Sequence, residues 1–232
     1  MSDWTIIPKP AELAESRLLD AILDGTFPIN SNLPPERDLA EKLGVTRPTL
    51  REALQRLSRS GWIDIHHGRP TRVKNYWEEG NLLILNALAK HPRNLPDHFV
   101  PDLLEVRVAL APVYTCSAIQ QQPENVVNLL TRLQDLPDTP DAYTQADFDL
   151  HYQLTILSGN PVYTLIFNGF GELYLTMGLN YFASPEARRH SHTFYQDLLT
   201  AAVSKDLESA RQITQNVMQA SLTIWQSQAV KH

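Results

Sequence analysis

The sequence predicts a mainly α-helical protein with an N-terminal winged helix-turn-helix domain at residues 1–74, a linker at 75–80 and a C-terminal all-α bundle at 81–232. Two short helical patterns meet at a glycine turn within residues 33–74 and precede a hairpin pattern. The rest of the chain has helical periodicity and no alternating strand pattern. The net charge is −6, yet residues 33–74 hold nine Lys and Arg against five Asp and Glu. This uneven distribution of charge predicts that the first domain, and not the second, binds a polyanion.

The composition is that of an ordinary globular protein, with 43% hydrophobic and 20% charged residues among 232. Its one cysteine, Cys116, excludes an internal disulfide framework and fits a reducing compartment. The N-terminal residues lack the basic region and long apolar run of a signal peptide, and no run of 18 apolar residues occurs. We therefore expect a cytoplasmic protein that does not bind membranes.

The first two helices of the N-terminal domain have clear boundaries. Apolar residues at helical spacing predict a helix over residues 11–24, which Gly25 ends. Pro34 and Pro35 open the next helix, because first-turn N–H groups have no intrahelical partner to lose. Gly44 ends that helix as a residue that can adopt a positive φ.

The third helix has the features of a recognition helix. Thr46 is a suitable N-cap, and Arg47 and Arg51 lie outside the apolar stripe, which consists of Leu50, Ala53, Leu54 and Leu57. In a helix-turn-helix, the N-terminal residues of this helix reach base edges in the major groove. Two predicted strands, at 62–66 and 71–74, then form a wing whose basic tip could probe the minor groove.

The arginines of such a helix are most often simply exposed to solvent, so no single arginine establishes DNA binding. The combination of a capped helix, a glycine turn, arginines at the helix start and a basic hairpin favours DNA binding over that reading. A protein-interaction module built on a winged helix remains an alternative.

Three segments resemble the winged-helix domain of the GntR family of bacterial transcription regulators. They are the sequences at residues 33–40 (LPPERDLA), 45–54 (VTRPTLREAL) and 61–70 (beginning GW and ending HGRP). The resemblance implies that the operator is contacted by Arg37, Thr46, Arg47, Thr49, Arg51, His67 and Gly68. It also leads us to expect that Glu36 orients Arg37.

The second domain is predicted to be entirely helical. Helices are expected at residues 82–89, 102–121, 124–133, 141–157, 162–182, 185–203 and 207–228. A bundle of this size can enclose a ligand cavity between its helices. Most of its aromatic residues are expected to be core. The polar residues on otherwise inward stripes are sharper clues: Arg107, Asp147, His151, Tyr195 and Ser221. Arg107 could pair with Asp147 structurally or bind a ligand, and both readings stay open.

Further segments resemble the fatty-acid-metabolism regulators of the same family, over roughly residues 11–226. They include residues 158–161 (SGNP), 168–170 (NGF), 181–188 (YFASPEAR) and 224–225 (IW). The resemblance implies a homodimer that binds palindromic double-stranded operator DNA, represses or activates genes of fatty acid degradation and synthesis, and is released by long-chain acyl-CoA. By position, the acyl-CoA site would comprise Arg107, Asp147, Tyr181, Tyr195, Ser221 and Trp225.

The chain also departs from these relatives. Met218 and Leu222 stand where they have glycine, and larger side chains there could narrow or redirect the pocket. His151 occupies a position that is a metal ligand in other members of the family, but Tyr195 replaces one of its partner histidines. A metal is therefore not expected, and a core histidine is the preferred reading.

Two alternative functions remain. One is a regulator of the same family that responds to a small organic acid, with or without a metal. The other is a helical enzyme with an accessory DNA-binding domain, which ranks low because no nucleophile–base pair, complete metal set or phosphate loop is present.

Overall fold

The computed structural model describes residues 9–66, 68–91 and 95–229. They form twelve α-helices and one two-stranded hairpin, which confirms the mainly α-helical prediction. The chain divides into two compact units, between residues 94 and 95. None of the described helices is long and apolar enough to span a membrane.

The first unit is a winged helix-turn-helix. Its elements are α1 (Pro10–Leu23), α2 (Glu36–Leu43), α3 (Arg47–Arg59), β1 (Ile63–Asp64), β2 (Arg72–Val73), α4 (Tyr76–Glu79) and α5 (Leu83–Ala89). Gly44 ends α2 in the left-handed region at φ 67°, as predicted. Thr46 caps α3, because its side chain accepts a hydrogen bond from the Thr49 backbone N–H. The predicted apolar stripe of α3 is almost fully buried, so the opposite face of the helix is left to solvent.

The wing is shorter than predicted, since β1 and β2 contain two residues each and pair antiparallel with Ile63 opposite Val73. A third segment completes it. The Leu33 N–H donates to the Thr71 carbonyl, and the Val73 N–H donates to the Ser31 carbonyl, each at 2.8 Å. The segment between α1 and α2 thus supports the wing from its other edge.

The residues of the predicted linker at 75–80 pack on the first unit. Helix α4 places Tyr76 against Trp62, with ring centroids 4.6 Å apart. Arg72 of β2 donates to the Glu79 carboxylate at 2.8 Å. A Cβ on Gly80 would lie 2.3 Å from the Tyr76 carbonyl oxygen, so a larger residue there would force the backbone at the end of α4 to shift. The compact units consequently divide later than the predicted linker, after α5.

The second unit is an all-α bundle. It consists of α6 (Phe99–Gln121), α7 (Pro123–Thr131), α8 (Pro140–Leu157), α9 (Pro161–Gly169), α10 (Gly171–Phe182), α11 (Pro185–Ser204) and α12 (Leu207–Ala229). Helices α6 and α12 pack extensively, and α8 packs on α6 and α10. Its core includes Ile119, Leu130, Leu150, Leu154 and Tyr195, all almost completely buried.

The single helix predicted at 162–182 was wrong, because the chain breaks at Phe170 into α9 and α10. Gly169 and Gly171 flank the break, and each lowers the stability of a continuous helix there. Farther along α10, a Cβ on Gly178 would lie 2.8 Å from Thr144 Cγ2, so this glycine permits close packing on α8. The break at Phe170 and the close packing of Gly178 on α8 together position α10 as one wall of a cavity.

Candidate functional site

The first unit presents three exposed arginines around the start of α3. Arg37 and Arg51 have 75% and 64% of their side chains exposed, and Arg47 is also exposed. Arg56, on the same helix, differs because it forms ion pairs with Glu12, Glu15 and Glu52 and so ties α3 to α1. Arg56 is therefore a structural arginine, whereas Arg37, Arg47 and Arg51 are exposed and accessible to another molecule.

Arg47 occupies an electrostatically unfavourable position. It is the first residue of α3, where the positive end of the helix dipole repels a cation by about 0.3–1 kcal/mol. No described residue forms a hydrogen bond or ion pair with its side chain. The same helix end, with its unpaired N–H groups, attracts anions such as phosphate. An unpaired arginine here is consistent with a site that receives a polyanion.

The carboxylate partners of the other two arginines differ from the expectation. Glu36 accepts from Arg51 Nε at 2.8 Å, whereas Arg37 Nε donates to Asp38 at 3.1 Å. The expectation that Glu36 orients Arg37 was therefore wrong. Glu36 begins α2 and reaches across to α3 instead. Both pairs are exposed, so each is worth at most about 1 kcal/mol and can be exchanged for a phosphate or a base.

The remaining predicted DNA-binding residues lie on the same unit. The Thr46 and Thr49 hydroxyls are 2.8 Å apart at the start of α3. Gly68 is exposed at the wing tip with φ 74°, a conformation that favours glycine. His67 lies outside the described residues.

A cavity of about 100 Å³ lies within the second unit. This volume exceeds the roughly 10–15 Å³ that one water molecule needs. Helices α6, α8, α9, α10 and α12 supply its walls. The lining residues are Val100, Leu103, Leu104, Val106, Arg107, Leu110, Tyr114, Asp147, Thr155, Tyr163, Ile166, Phe167, Phe170, Leu173, Tyr174, Met177, Gly178, Tyr181, Phe182, Ser221 and Trp225. Most of this surface is apolar, which suits a hydrocarbon chain.

Asp147 is the centre of the polar end of the cavity. Its Oδ2 accepts from Tyr174 Oη at 2.5 Å and from Arg107 at 3.4 Å, and its Oδ1 accepts from Tyr195 Oη at 2.9 Å. The Arg107 guanidinium also stacks 4.7 Å from the Tyr174 ring centroid. The ion pair and the ligand role that the sequence left open for Arg107 are both compatible with this geometry, because the pair itself lines the cavity.

Burial opposes ionisation of Asp147, but His151, Arg107 and the two tyrosine hydroxyls outweigh it, so the pKa of this carboxyl lies below its ordinary value. Burial raises the pKa of both Tyr174 and Tyr195 well above 10, and both stay neutral donors. At neutral pH, the polar end therefore contains one cation, one anion and neutral hydroxyls.

Five of the six residues predicted for the effector site line this cavity: Arg107, Asp147, Tyr181, Ser221 and Trp225. The structure places Tyr195 elsewhere. It is fully buried behind Asp147 and acts on the cavity only through that carboxylate. Tyr181 Oη donates to Ser221 Oγ at 3.2 Å, which links α10 to α12 at the cavity wall.

Sequence reasoning assigned Tyr114 and Tyr174 no role in the site, although both line the cavity. Tyr174 was one of the bundle aromatics, most of which were expected to be core. The available signal was spacing, since Phe170, Tyr174, Met177 and Tyr181 recur on one face of α10. Spacing alone did not show that this face of the helix meets the cavity.

His151 is a buried core residue next to the cavity. Tyr114 Oη and His151 Nδ1 are 2.8 Å apart, while Nε2 has no hydrogen-bond partner in the described structure. Burial lowers the pKa of His151 to about 4. Its nearest carboxylate, Asp147, is 3.9 Å away, and no group of three or more His, Cys, Asp or Glu among the described residues could hold a metal ion.

We expect His151→Phe to reduce the acid sensitivity of the second unit. The folded protein binds a proton at His151 only near pH 4, whereas the unfolded chain binds it near pH 6.5. Between these values the unfolded state binds more protons, so stability falls as the pH is lowered through this window. Near pH 5 the effect is about 2 kcal/mol. Urea unfolding at about pH 7.5 and pH 5 should show a difference smaller by that amount in the variant. His98→Phe, at a mostly exposed histidine, is the control and should leave the difference unchanged.

Met218 and Leu222 are both buried on α12, at 3% and 9% exposure, and neither lines the cavity. Met218 packs in the bundle core. On this helix the cavity wall is therefore formed by Ser221 and Trp225.

Comparisons with known proteins cover both units. A family model described as "FadR C-terminal domain" matches residues 74–231, and one described as "Bacterial regulatory proteins, gntR family" matches residues 10–73. The fatty acid metabolism regulator protein of Shewanella pealeana is 42% identical over 219 residues, which are 94% of this chain and 91% of that protein. The protein of the same name from Serratia proteamaculans is 39% identical over 218 residues, with the same coverage.

A solved structure titled "Lar controls the expression of the Listeria monocytogenes agr system and mediates virulence" has a TM-score of 0.62 to this chain. It covers 95% of this chain and 98% of the other at 17% identity, so the similarity concerns the fold alone.

Proposed function

Since this chain belongs to the GntR family of bacterial regulatory proteins and carries a FadR C-terminal domain, we propose that it is a homodimeric regulator released from a palindromic operator by long-chain acyl-CoA. As a member of that family it is a DNA-binding transcription regulator of fatty acid metabolism and not an enzyme. The proposal concerns the effector, the dimer, and the control of both fatty acid degradation and synthesis genes.

The DNA-binding half of the proposal rests on the face formed by Arg37, Arg47 and Arg51. Arg47 lies unpaired at the N-terminus of the recognition helix, and the other two have only exposed, exchangeable carboxylate partners. Such side chains can bind guanine edges or phosphates in the major groove. Thr46, Thr49 and the wing tip at Gly68 extend this face, and His67 is proposed with them from sequence alone.

The effector half rests on the cavity, which is the observation that carries the proposal. Its walls are aliphatic and aromatic, as an acyl chain requires, and its polar groups are gathered around Asp147. Arg107 is the one cationic side chain among its described lining residues. The phosphates of coenzyme A therefore belong outside this cavity, with the acyl chain and its carbonyl inside. A small organic acid would leave most of the apolar wall without a partner.

Release requires a path from the effector to the DNA-binding residues. Within the first unit, α4 follows the wing directly, and Glu79 binds both Arg72 of β2 and the Asn75 N–H. Lys74 Nζ also donates to the Glu79 carbonyl at 3.0 Å. A displacement of α4 would therefore reach the wing strand. Two wings moved in this way could no longer match the spacing of the operator half-sites.

Tryptophan fluorescence tests the effector assignment, because Trp225 lines the cavity. Titration with oleoyl-CoA should change the emission saturably, and Trp225→Phe should remove most of that change. Short dicarboxylic and hydroxy acids, with and without a divalent metal, should have no effect. A saturable response to such an acid, with none to oleoyl-CoA, would instead establish the small-acid alternative.

A further inference from the structure

Building on the proposed acyl-CoA site, we propose that Asp147 makes the cavity select an uncharged acyl carbonyl over a free fatty-acid carboxylate. It does so by neutralising Arg107 before any ligand arrives. In this account Asp147 is a specificity-determining residue that excludes a class of ligand.

An unpartnered Arg107 would favour the wrong ligand. It is the single cationic side chain that the described part of the chain contributes to the cavity lining. A guanidinium in apolar surroundings binds a carboxylate strongly, through charge-assisted hydrogen bonds. Without a neutralising partner, the cavity would therefore bind a free fatty acid by both its chain and its head group.

Asp147 is positioned to prevent this. Its side chain is only 8% exposed, and it meets Arg107 at 3.4 Å. Tyr174 and Tyr195 each donate to one of its oxygens, and these hydroxyls hold the carboxylate in place whether or not Arg107 is engaged. An incoming carboxylate would have to lose its hydration and lie beside a fixed anion of the same sign, which low dielectric surroundings penalise strongly.

A neutral carbonyl meets no such obstacle. Arg107 Nε is buried and has no hydrogen-bond partner among the described residues. It can donate one hydrogen bond to a carbonyl oxygen while the rest of the guanidinium keeps its contact with Asp147. The thioester carbonyl of an acyl-CoA, or the carbonyl of a simple ester, is such an acceptor.

The test compares ligands that share one acyl chain and differ in the head group. Oleoyl-CoA, oleate and methyl oleate are titrated below their aggregation limits, with Trp225 emission as the readout. Wild-type protein should bind methyl oleate at least about tenfold more tightly than oleate. This comparison needs no variant, so it stands even if a substitution prevents folding.

Asp147→Asn then removes the anion at nearly constant size, and its amide oxygen can still accept from Tyr195. Oleate affinity should rise at least about tenfold, and oleate should raise the melting temperature of the variant more than that of the wild type. The double variant Arg107→Gln/Asp147→Asn should lose this gain. Asp138→Asn is the matched control, because Asp138 pairs with Arg188 away from the cavity. It should leave oleate binding unchanged.

The outcomes separate the two proposals. If oleoyl-CoA fails to bind the wild-type protein, the proposed function is wrong. If oleoyl-CoA binds, but oleate binds the wild type as tightly as methyl oleate does, the role of Asp147 is refuted and the proposed function stands. Equal oleate affinity in wild type and a folded Asp147→Asn variant would also refute it.

Discussion

Arg47→Ala should lower operator affinity by roughly 30-fold or more. Arg47 lies at the first position of α3, unpaired with any described residue and directed by a capped helix. A bidentate arginine–guanine contact is worth about 1–3 kcal/mol, and a palindromic operator bound by a dimer contains two of them. The expected loss is therefore about 2–6 kcal/mol, measurable by fluorescence anisotropy of a labelled operator at fixed salt.

Arg59→Ala is the control for this experiment. Arg59 is an exposed residue at the opposite end of the same helix, where it donates to the Gln55 carbonyl. The substitution removes the same charge from the same helix and should change affinity much less. Tight, salt-sensitive operator binding by Arg47→Ala would show that α3 does not read the DNA as described.

Ser221→Leu should make the regulator insensitive to its effector while sparing operator binding. Ser221 lies at the cavity wall, 6% exposed, and a leucine there projects into the space proposed for the acyl chain. Overpacking at a buried position costs about 1–3 kcal/mol. The oleoyl-CoA concentration needed for half-maximal release in a mobility shift should therefore rise at least about tenfold.

Thr223→Leu is the matched control, since Thr223 lies on the exposed face of the same helix, two residues away. It should respond to oleoyl-CoA as the wild type does. Normal release by Ser221→Leu, with its operator binding intact, would place the acyl chain somewhere other than this cavity.

The helices of the first unit could be predicted because the residues that define them lie close together in sequence. A glycine that ends α2, the Thr46 cap and the apolar stripe of α3 each act within a few residues, and the structure has all three. The wing was only partly predictable. Its two strands are very short, and the segment before α2 completes the pairing, which depends on contacts distant in sequence.

The cavity could be predicted only in part, because packing between segments distant in sequence decides which side chains face it. The sequence placed Arg107, Asp147 and Ser221 on inward stripes, and these residues do meet at the cavity. It did not distinguish Tyr195, which holds Asp147 from behind, from Tyr174, which faces the cavity. Both are aromatic residues at helical spacing, and only packing decides which side of the carboxylate each one occupies.

The ion-pair partner of Glu36 also depends on contacts between segments, and it could not be predicted from neighbouring residues. Adjacency in sequence suggested Arg37, but Arg37 donates to its other neighbour, Asp38. The turn between α2 and α3 instead brings Arg51 within 2.8 Å. The pairing of exposed charges was therefore set by the crossing of two helices.

The most direct test of the central claim is a reciprocal titration on an operator from a fatty acid metabolism gene. Operator affinity is measured with and without saturating oleoyl-CoA, and oleoyl-CoA affinity is measured with and without saturating operator. If the two sites are coupled, each ligand must weaken the other by the same factor, which we expect to be at least about tenfold. Tight binding of oleoyl-CoA that leaves operator affinity unchanged would contradict the account.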